Sequence, residues 1–231
     1  MSETAPKLKA LMVLFPGFNT LDMNGPFEVL ARAGLFEMVT AAENEITRSA
    51  EGVQVKRDIA LDVELMANVD EYDVLIVPGG PGPQVRAQLG QDGGPFMNLI
   101  CSFEILGPRA SASHPRLLLS ICTGALFLGS VGVFNGLHCT THWAYYEELT
   151  GFNVESATRA VAATPGKVLA ARFVDAGVNS SGVRIVSAGG VSCGIDAGLH
   201  VVKVFAGEAA AREVAEGLDY AWRKTDGVVL G

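Results

Sequence analysis

The feature of the sequence that most constrains the fold is an uncharged run from Leu117 to Phe134, LLLSICTGALFLGSVGVF. A membrane-spanning helix needs about 20 predominantly apolar residues without helix breakers, but three glycines interrupt this run. Its first part, Leu117–Ile121, is apolar at nearly every position, as in a buried parallel strand. The second part, Thr123–Phe134, has apolar residues at helical spacing. The run therefore predicts a strand, a turn and a buried helix instead of a membrane span.

Short apolar runs alternate with helix-like segments along the rest of the chain, which predicts an α/β fold with a mostly parallel sheet and helices on both faces. No repeat, linker or domain boundary is evident. Residues 1–231 are therefore expected to form a single domain, with a core of about 8–207 and a C-terminal helix and tail at 208–231. The predicted strands are Leu8–Phe15, Glu37–Ala42, Asp73–Val77, Leu117–Ser120, Phe152–Glu155, Arg159–Ala162, Arg172–Val174 and Val183–Ser187.

The composition restricts both the partners and the compartment. The net charge of −8 and the pI near 5.0 argue against non-specific nucleic-acid binding, which needs a basic surface. The N-terminal segment MSETAPKLKALMVLF lacks the long apolar run and the cleavage site of a secretory signal. The four cysteines form no C-x-x-C pair and match no zinc-finger spacing. We therefore expect a cytoplasmic protein with reduced cysteines and with no nucleic-acid or membrane partner.

Cys122 is placed by this pattern at the carboxyl end of a strand and the start of a helix. Ligands of open α/β sheets bind at that edge, and a side chain on such a sharp turn projects from the sheet, as in the nucleophile elbow of hydrolases. Backbone N–H groups at a helix start also lower cysteine pKa values. Cys122 is thus predicted to be a nucleophile that is largely thiolate at neutral pH, although a buried cysteine is more often an inert apolar residue.

A thiolate nucleophile also needs groups that hold developing charge. Gly79 and Gly80 lie in a turn after another predicted strand, and glycines let a backbone approach a ligand closely. Their amides, with the amide and hydroxyl of Thr123, are predicted to bind the substrate or an oxyanion. The alternative is that Pro-Gly-Gly is an ordinary turn.

Several acidic and basic residues could serve as the proton partner of Cys122. The candidates are Asp22, Glu28, His142 and Asp196. Asp22 follows the first predicted strand and should lie at the same sheet edge as Cys122, its alternative role being a helix cap; Asn24 is a further cap candidate. His142 is equally consistent with a structural hydrogen bond. His138 and His142 have an i, i+4 spacing that can suit a metal, but no third ligand is evident, so no metal site is predicted.

Four segments of the chain carry a resemblance to a known family. They are LFPGFNTLDMNGPFEVL at 14–30, DVLIVPGGPG at 73–82, SICTGALFLGSVGVFNGLHCTTHWAYYEEL at 120–149 and SAGGVSCGIDAGLHVV at 187–202. In this order they resemble the ThiJ/PfpI superfamily, which has a flavodoxin-like, class I glutamine amidotransferase-like fold. Within the superfamily they are most similar to the isocyanide hydratase subgroup.

The resemblance implies roles for individual residues. Cys122 matches the family nucleophile, Asp22 the acidic partner of the hydratase subgroup, and Thr123 the residue after the nucleophile. Other branches have a histidine at the position of Thr123, or a glutamate near the position of Asp22. These two residues therefore favour the hydratase subgroup. His142 matches a histidine that lies near the nucleophile in several branches.

The activity implied by the resemblance is the addition of water to an isocyanide, which gives an N-substituted formamide through a covalent thioimidate on Cys122. Asp22 would supply and steer the protons. The resemblance implies a homodimer and requires neither a metal nor an organic cofactor. Two alternatives remain open. One is a ligand sensor or stress-response protein similar to the sensor domain of AraC-type regulators, and the other is a glyoxalase- or deglycase-like enzyme.

Overall fold

The computed structural model describes residues 7–91, 94–109, 114–160 and 163–231. The strands are β1 (Leu8–Leu14), β2 (Phe36–Ala42), β3 (Ile46–Arg48), β4 (Gln54–Lys56), β5 (Ile59–Ala60), β6 (Val74–Val77), β7 (Leu117–Ile121), β8 (His138–Cys139), β9 (Lys167–Val168), β10 (Phe173–Val178), β11 (Arg184–Ala188) and β12 (Val228–Val229). The helices are α1 (Thr20–Arg32), α2 (Val63–Ala67), α3 (Gly82–Leu89), α4 (Pro95–Glu104), α5 (Gly124–Ser130), α6 (Tyr146–Arg159) and α7 (Cys193–Gly217).

The centre of the fold is a sheet of eight strands in the order β12-β10-β11-β7-β6-β1-β2-β5. Neighbouring strands are parallel, except that β10 is antiparallel to β11. Helix α1 packs against α7, and α5 packs against α6. This is the predicted α/β architecture with a mostly parallel sheet flanked by helices. It brings the carboxyl ends of β1, β6, β7 and β11 to one edge, where ligands of open α/β sheets bind.

The uncharged run in the middle of the sequence forms the predicted strand, turn and helix. Every residue of β7 is buried, and so is almost all of α5. Phe127 of α5 packs edge-on against Phe15 and Phe96, with ring centroids 5.2 and 4.9 Å apart. These contacts anchor the helix that follows Cys122 in the core. No helix in the described parts of the chain is long and apolar enough to cross a membrane.

Two of the predicted strands are wrong. Phe152–Glu155 lies inside α6, and Arg159 is the last residue of that helix, whereas Val161 and Ala162 lie outside the described residues. The buried residues of α6 are Leu149, Asn153, Ser156 and Ala157. Their spacing is that of one helical face, and a window of four residues was too short to distinguish it from strand alternation.

The C-terminal segment is more closely integrated than the expected division at 207 suggests. Gly207 has a φ of 86° and bends α7 at that point, but the chain then returns to the main sheet. In β12, Val228 and Val229 pair with Val174 and Asp175 of β10. The tail therefore supplies one of the two edge strands of the sheet.

Candidate active site

Cys122 occupies the sharp turn between β7 and α5. Its φ is 55°, a left-handed conformation that is unfavourable for a residue with a side chain. The backbone amide of Cys122 donates hydrogen bonds of 3.0 Å to the carbonyls of Ala188 and Gly189. The hydroxyl of Thr141 donates to the carbonyl of Cys122 at 2.8 Å. The surrounding structure thus holds the strained turn in place, and its strand–turn–helix geometry is the one that presents nucleophiles in hydrolases.

Asp22 lies in the first turn of α1 and does not cap the helix. The cap is Asn19, whose side-chain oxygen accepts hydrogen bonds from the amides of Leu21 and Asp22 at 3.0 and 3.1 Å. The predicted cap Asn24 is wrong, because the helix begins at Thr20. Asp22 is therefore free of a capping role, and its side chain is completely buried at the carboxyl edge of the sheet.

The carboxyl group of Asp22 faces the thiol of Cys122. Its Oδ2 accepts a hydrogen bond of 3.0 Å from the amide of Gly79, whereas Oδ1 lacks a geometrically aligned partner among the described residues. Burial raises the pKa of Asp22 to about 7, although the interactions with Gly79 and with the Cys122 thiol lower it. A carboxyl with such a pKa exchanges protons readily near neutral pH.

The prediction that Cys122 is largely thiolate at neutral pH is not supported. Burial and the neighbouring charge of Asp22 raise the pKa of Cys122 to about 12. The amides of Val191 and Thr123 and the hydroxyl of Thr123 act in the opposite direction but are outweighed. The side chain is only 5% exposed, and α5 has only 7 residues. Desolvation of a buried thiolate therefore dominates over the dipole of a short helix.

The amides of Gly79 and Gly80 are not free to bind an oxyanion, contrary to the prediction. Gly79 donates to Asp22, and Gly80 donates to the hydroxyl of Thr123 at 2.8 Å. The same hydroxyl donates back to the carbonyl of Gly80 at 2.6 Å. A Cβ atom on Gly79 would lie 2.5 Å from Oγ1 of Thr123. The two glycines therefore position Asp22 and Thr123 through close backbone packing.

Val191 is a site residue that the sequence did not indicate. It follows β11 and has a φ of 31°, which is rare for a β-branched residue. Its amide faces the sulfur of Cys122, where it favours negative charge. The only available signal was the preceding pair Gly189-Gly190, which marks a tight turn after a strand.

His142 supports this second turn. Its Nδ1 accepts a hydrogen bond of 3.2 Å from the amide of Ala144, and burial lowers its pKa. A Cβ atom on Gly190 would lie 2.7 Å from Cδ2 of His142, so the ring packs directly against that glycine. The structural hydrogen bond considered for His142 is therefore present. His138, the other histidine of the i, i+4 pair, lies in β8. Among the described residues, no group of three or more His, Cys, Asp or Glu side chains could hold a metal ion.

The other two candidate acids have different environments. Asp196 is buried and fully engaged: it accepts hydrogen bonds from Arg172 at 2.8 Å, from the hydroxyl of Tyr220 at 2.9 Å and from the amide of Arg223 at 2.8 Å. It thus holds the C-terminal tail and is not available as the proton partner of Cys122. Glu28 is exposed and pairs with Arg32 on its own helix. Of the four candidates, Asp22 is the one in contact with the thiol.

Comparisons with known proteins agree with this architecture. Residues 8–91 match the model of the DJ-1/PfpI family. The chain is 29% identical over 210 residues to isonitrile hydratase of Pseudomonas putida, which covers 90% of this chain and 77% of that protein. It is 25% identical over 154 residues to deglycase PfpI of Pyrococcus furiosus, covering 67% of this chain and 84% of that protein. The crystal structure of Drosophila melanogaster DJ-1beta superposes with a TM-score of 0.70 at 24% identity, covering 94% of this chain and 100% of that chain. The chain belongs to the DJ-1/PfpI family.

Proposed function

We propose that this protein hydrates isocyanides to N-substituted formamides, with Cys122 as the nucleophile and Asp22 as the proton carrier. The observation that carries the proposal is the contact between the Cys122 thiol and a buried carboxyl whose pKa is about 7. A general acid–base group is most effective when its pKa lies near the working pH. The similarity to isonitrile hydratase of Pseudomonas putida supports the substrate class.

The first step forms a covalent thioimidate. The terminal carbon of an isocyanide accepts a sulfur lone pair and also carries the electron pair that takes up a proton. The pKa of Cys122 keeps the resting sulfur protonated, so ionised Asp22 removes the thiol proton as the C–S bond forms. Asp22 then delivers that proton to the same carbon, which gives R–N=CH–S–Cys. Covalent catalysis in this way divides one difficult addition into two easier ones.

The second step adds water to the thioimidate carbon. Asp22 takes one proton from the attacking water and passes it to the nitrogen, so that the adduct is R–NH–CH(OH)–S–Cys. The C–S bond then breaks with its electron pair on sulfur, the hydroxyl proton returns to the thiol, and R–NH–CHO leaves. The amides of Thr123 and Val191 face the sulfur and would stabilise its negative charge as it departs. One water is consumed, and nothing is oxidised or reduced.

The proposal is tested by incubating the purified protein with phenyl isocyanide and measuring N-phenylformamide by liquid chromatography. We expect many turnovers per protein with wild type and none above background with Cys122→Ala. Cys101→Ala is the matched control, because Cys101 is an exposed cysteine on α4, away from Cys122. Absence of formamide with correctly folded wild-type protein would refute the proposal.

The alternatives predict different results in the same experiment. A deglycase or glyoxalase would act on methylglyoxal or on a glycated amine and release no formamide. A sensor would bind one equivalent of ligand without turnover. We also propose the cytoplasmic homodimer that the resemblance implies; light scattering of the purified protein and fractionation of its host cells test these two points.

A further inference from the structure

A cavity of about 400 Å³ lies beside the turn that carries Cys122. Two of its wall residues hold that turn directly. Gly189 accepts a hydrogen bond from the amide of Cys122, and Thr141 donates one to its carbonyl. The volume lies within the range of about 300–1,000 Å³ found for small-molecule sites. A molecule in this cavity would therefore lie next to the backbone turn that carries Cys122.

Trp143 gives the cavity an aromatic wall. Its side chain is 73% exposed, although tryptophan normally buries most of its surface. Trp143 follows His142 directly, and their rings lie 5.5 Å apart, so the position of the indole is tied to a ring that packs on Gly190. Tyr146 adds a second aromatic side chain to the same wall. An exposed apolar surface beside a cavity is typical of a place where a ligand binds.

The charges around the cavity disfavour an anionic ligand. Arg172 lies in the wall, but it is paired with the buried carboxylate of Asp196 at 2.6 Å. Asp226 on the opposite segment contributes a negative charge. Cys193, which is 8% exposed, contributes a small thiol whose pKa burial raises, so it is neutral at neutral pH. A neutral, apolar group matches this lining better than a carboxylate or phosphate does.

We propose that this cavity receives the substituent R of the isocyanide, and that Trp143 makes the enzyme prefer uncharged substituents that contain a ring. The proposal rests on the proposed hydration reaction. In that reaction the isocyanide carbon bonds to sulfur, and R lies one atom further away on nitrogen, so R must enter space next to the Cys122 turn. The cavity supplies that space, and the flat face of the indole can pack against a ring of the substrate.

The first test compares phenyl isocyanide with methyl isocyanide as substrates. An aromatic pair typically changes an equilibrium or rate constant by about 3–10-fold. We expect Trp143→Ala to lower kcat/KM for phenyl isocyanide by that factor and to leave kcat/KM for methyl isocyanide unchanged. Trp143→Phe should retain the preference. Val154→Ala is the control, since Val154 is also exposed, at 49%, but lies on α6 away from the cavity. An equal effect of Trp143→Ala on both substrates would overturn the proposal.

The second test does not depend on turnover. We expect N-phenylformamide to bind more tightly than N-methylformamide by calorimetry, and Trp143→Ala to weaken only the former. Bound N-phenylformamide should also slow alkylation of Cys193 by iodoacetamide, read by peptide mass spectrometry, while the exposed Cys101 reacts at an unchanged rate. Protection of Cys193 without isocyanide turnover would refute the proposed reaction but support the subsite. Turnover with unprotected Cys193 and an unchanged substrate preference would refute the subsite alone.

Discussion

The thiol of Cys122 and the carboxyl of Asp22 contact each other in a buried site, where the thiol favours the ionised form of Asp22 and the charge of Asp22 raises the cost of ionising the thiol. With pKa values of about 12 and about 7, the resting pair at neutral pH is a protonated thiol beside a carboxyl that is partly ionised. Asp22 is therefore suited to receive the thiol proton at the moment when sulfur bonds to a substrate, without requiring a standing thiolate.

Cys122 should be the only cysteine whose removal abolishes turnover. Cys122→Ala or Cys122→Ser should reduce isocyanide hydration to background, because the other cysteines have no contact with Asp22 of this kind. Cys101→Ala and Cys193→Ala should retain activity within about threefold. Cys139 is fully buried and accepts a hydrogen bond from Asn153 at 3.4 Å. Its replacement by alanine should lower the melting temperature but not kcat per folded molecule.

The pH dependence of turnover should report the ionisation of Asp22. Because ionised Asp22 accepts the thiol proton, kcat/KM should rise as the pH increases through about 7 and fall about tenfold per pH unit below it. Asp22→Asn should lower the rate by a factor of about 10²–10⁴. It should also lose the acid limb of the pH profile, which is the fall of kcat/KM below about pH 7. An Asp22→Asn enzyme with the wild-type pH profile would show that another group titrates.

Asp22 should also make the folded protein less stable as the pH rises. Between its ordinary pKa of 3.8 and about 7, the folded protein keeps a proton that the unfolded chain has released. The free energy of unfolding therefore falls with increasing pH across this window. Asp22→Asn does not titrate, so it should become more stable than wild type above pH 7, by up to the order of 4 kcal/mol. Urea unfolding of both proteins at several pH values measures this difference. The other carboxyl groups contribute equally to the unfolding free energy of both proteins, so their contributions cancel.

The position of Cys122 could be predicted because strand, turn and helix are local patterns in a run of apolar residues. The pKa of its thiol could not, because that depends on the burial of the sulfur and on Asp22, which comes from a distant part of the chain. The same limit applies to Asp196. Its place near the start of α7 made it a reasonable acid, but Arg172, Tyr220 and the Arg223 amide engage it only in the folded protein.

Gly79→Ala should damage both stability and the position of Asp22. The added Cβ would lie 2.5 Å from Oγ1 and 2.6 Å from the amide nitrogen of Thr123, so one of the two turns must move. Overpacking of this kind typically costs about 1–3 kcal/mol. The shift would also weaken the hydrogen bond from Gly79 to Asp22, and the acid limb should move to higher pH because that bond lowers the pKa of Asp22. Gly107→Ala, in a loop with open space around the glycine, should change neither property.

The strained backbone of Cys122 should be visible in a comparison of alanine with glycine. At a φ of 55° a Cβ atom is unfavourable, whereas glycine adopts this conformation freely. Cys122→Gly should therefore be more stable than Cys122→Ala, by about 1 kcal/mol in urea unfolding. Both variants lack the thiol, so the difference isolates the effect of the backbone conformation.

Gly151 in α6 provides the opposite case, because it is helical and has open space around it. Gly151→Ala should stabilise the protein by about 0.5–1 kcal/mol. If alanine proved more stable than glycine at both positions, the backbone of Cys122 would not be strained. The surrounding hydrogen bonds would then have no conformational cost to offset.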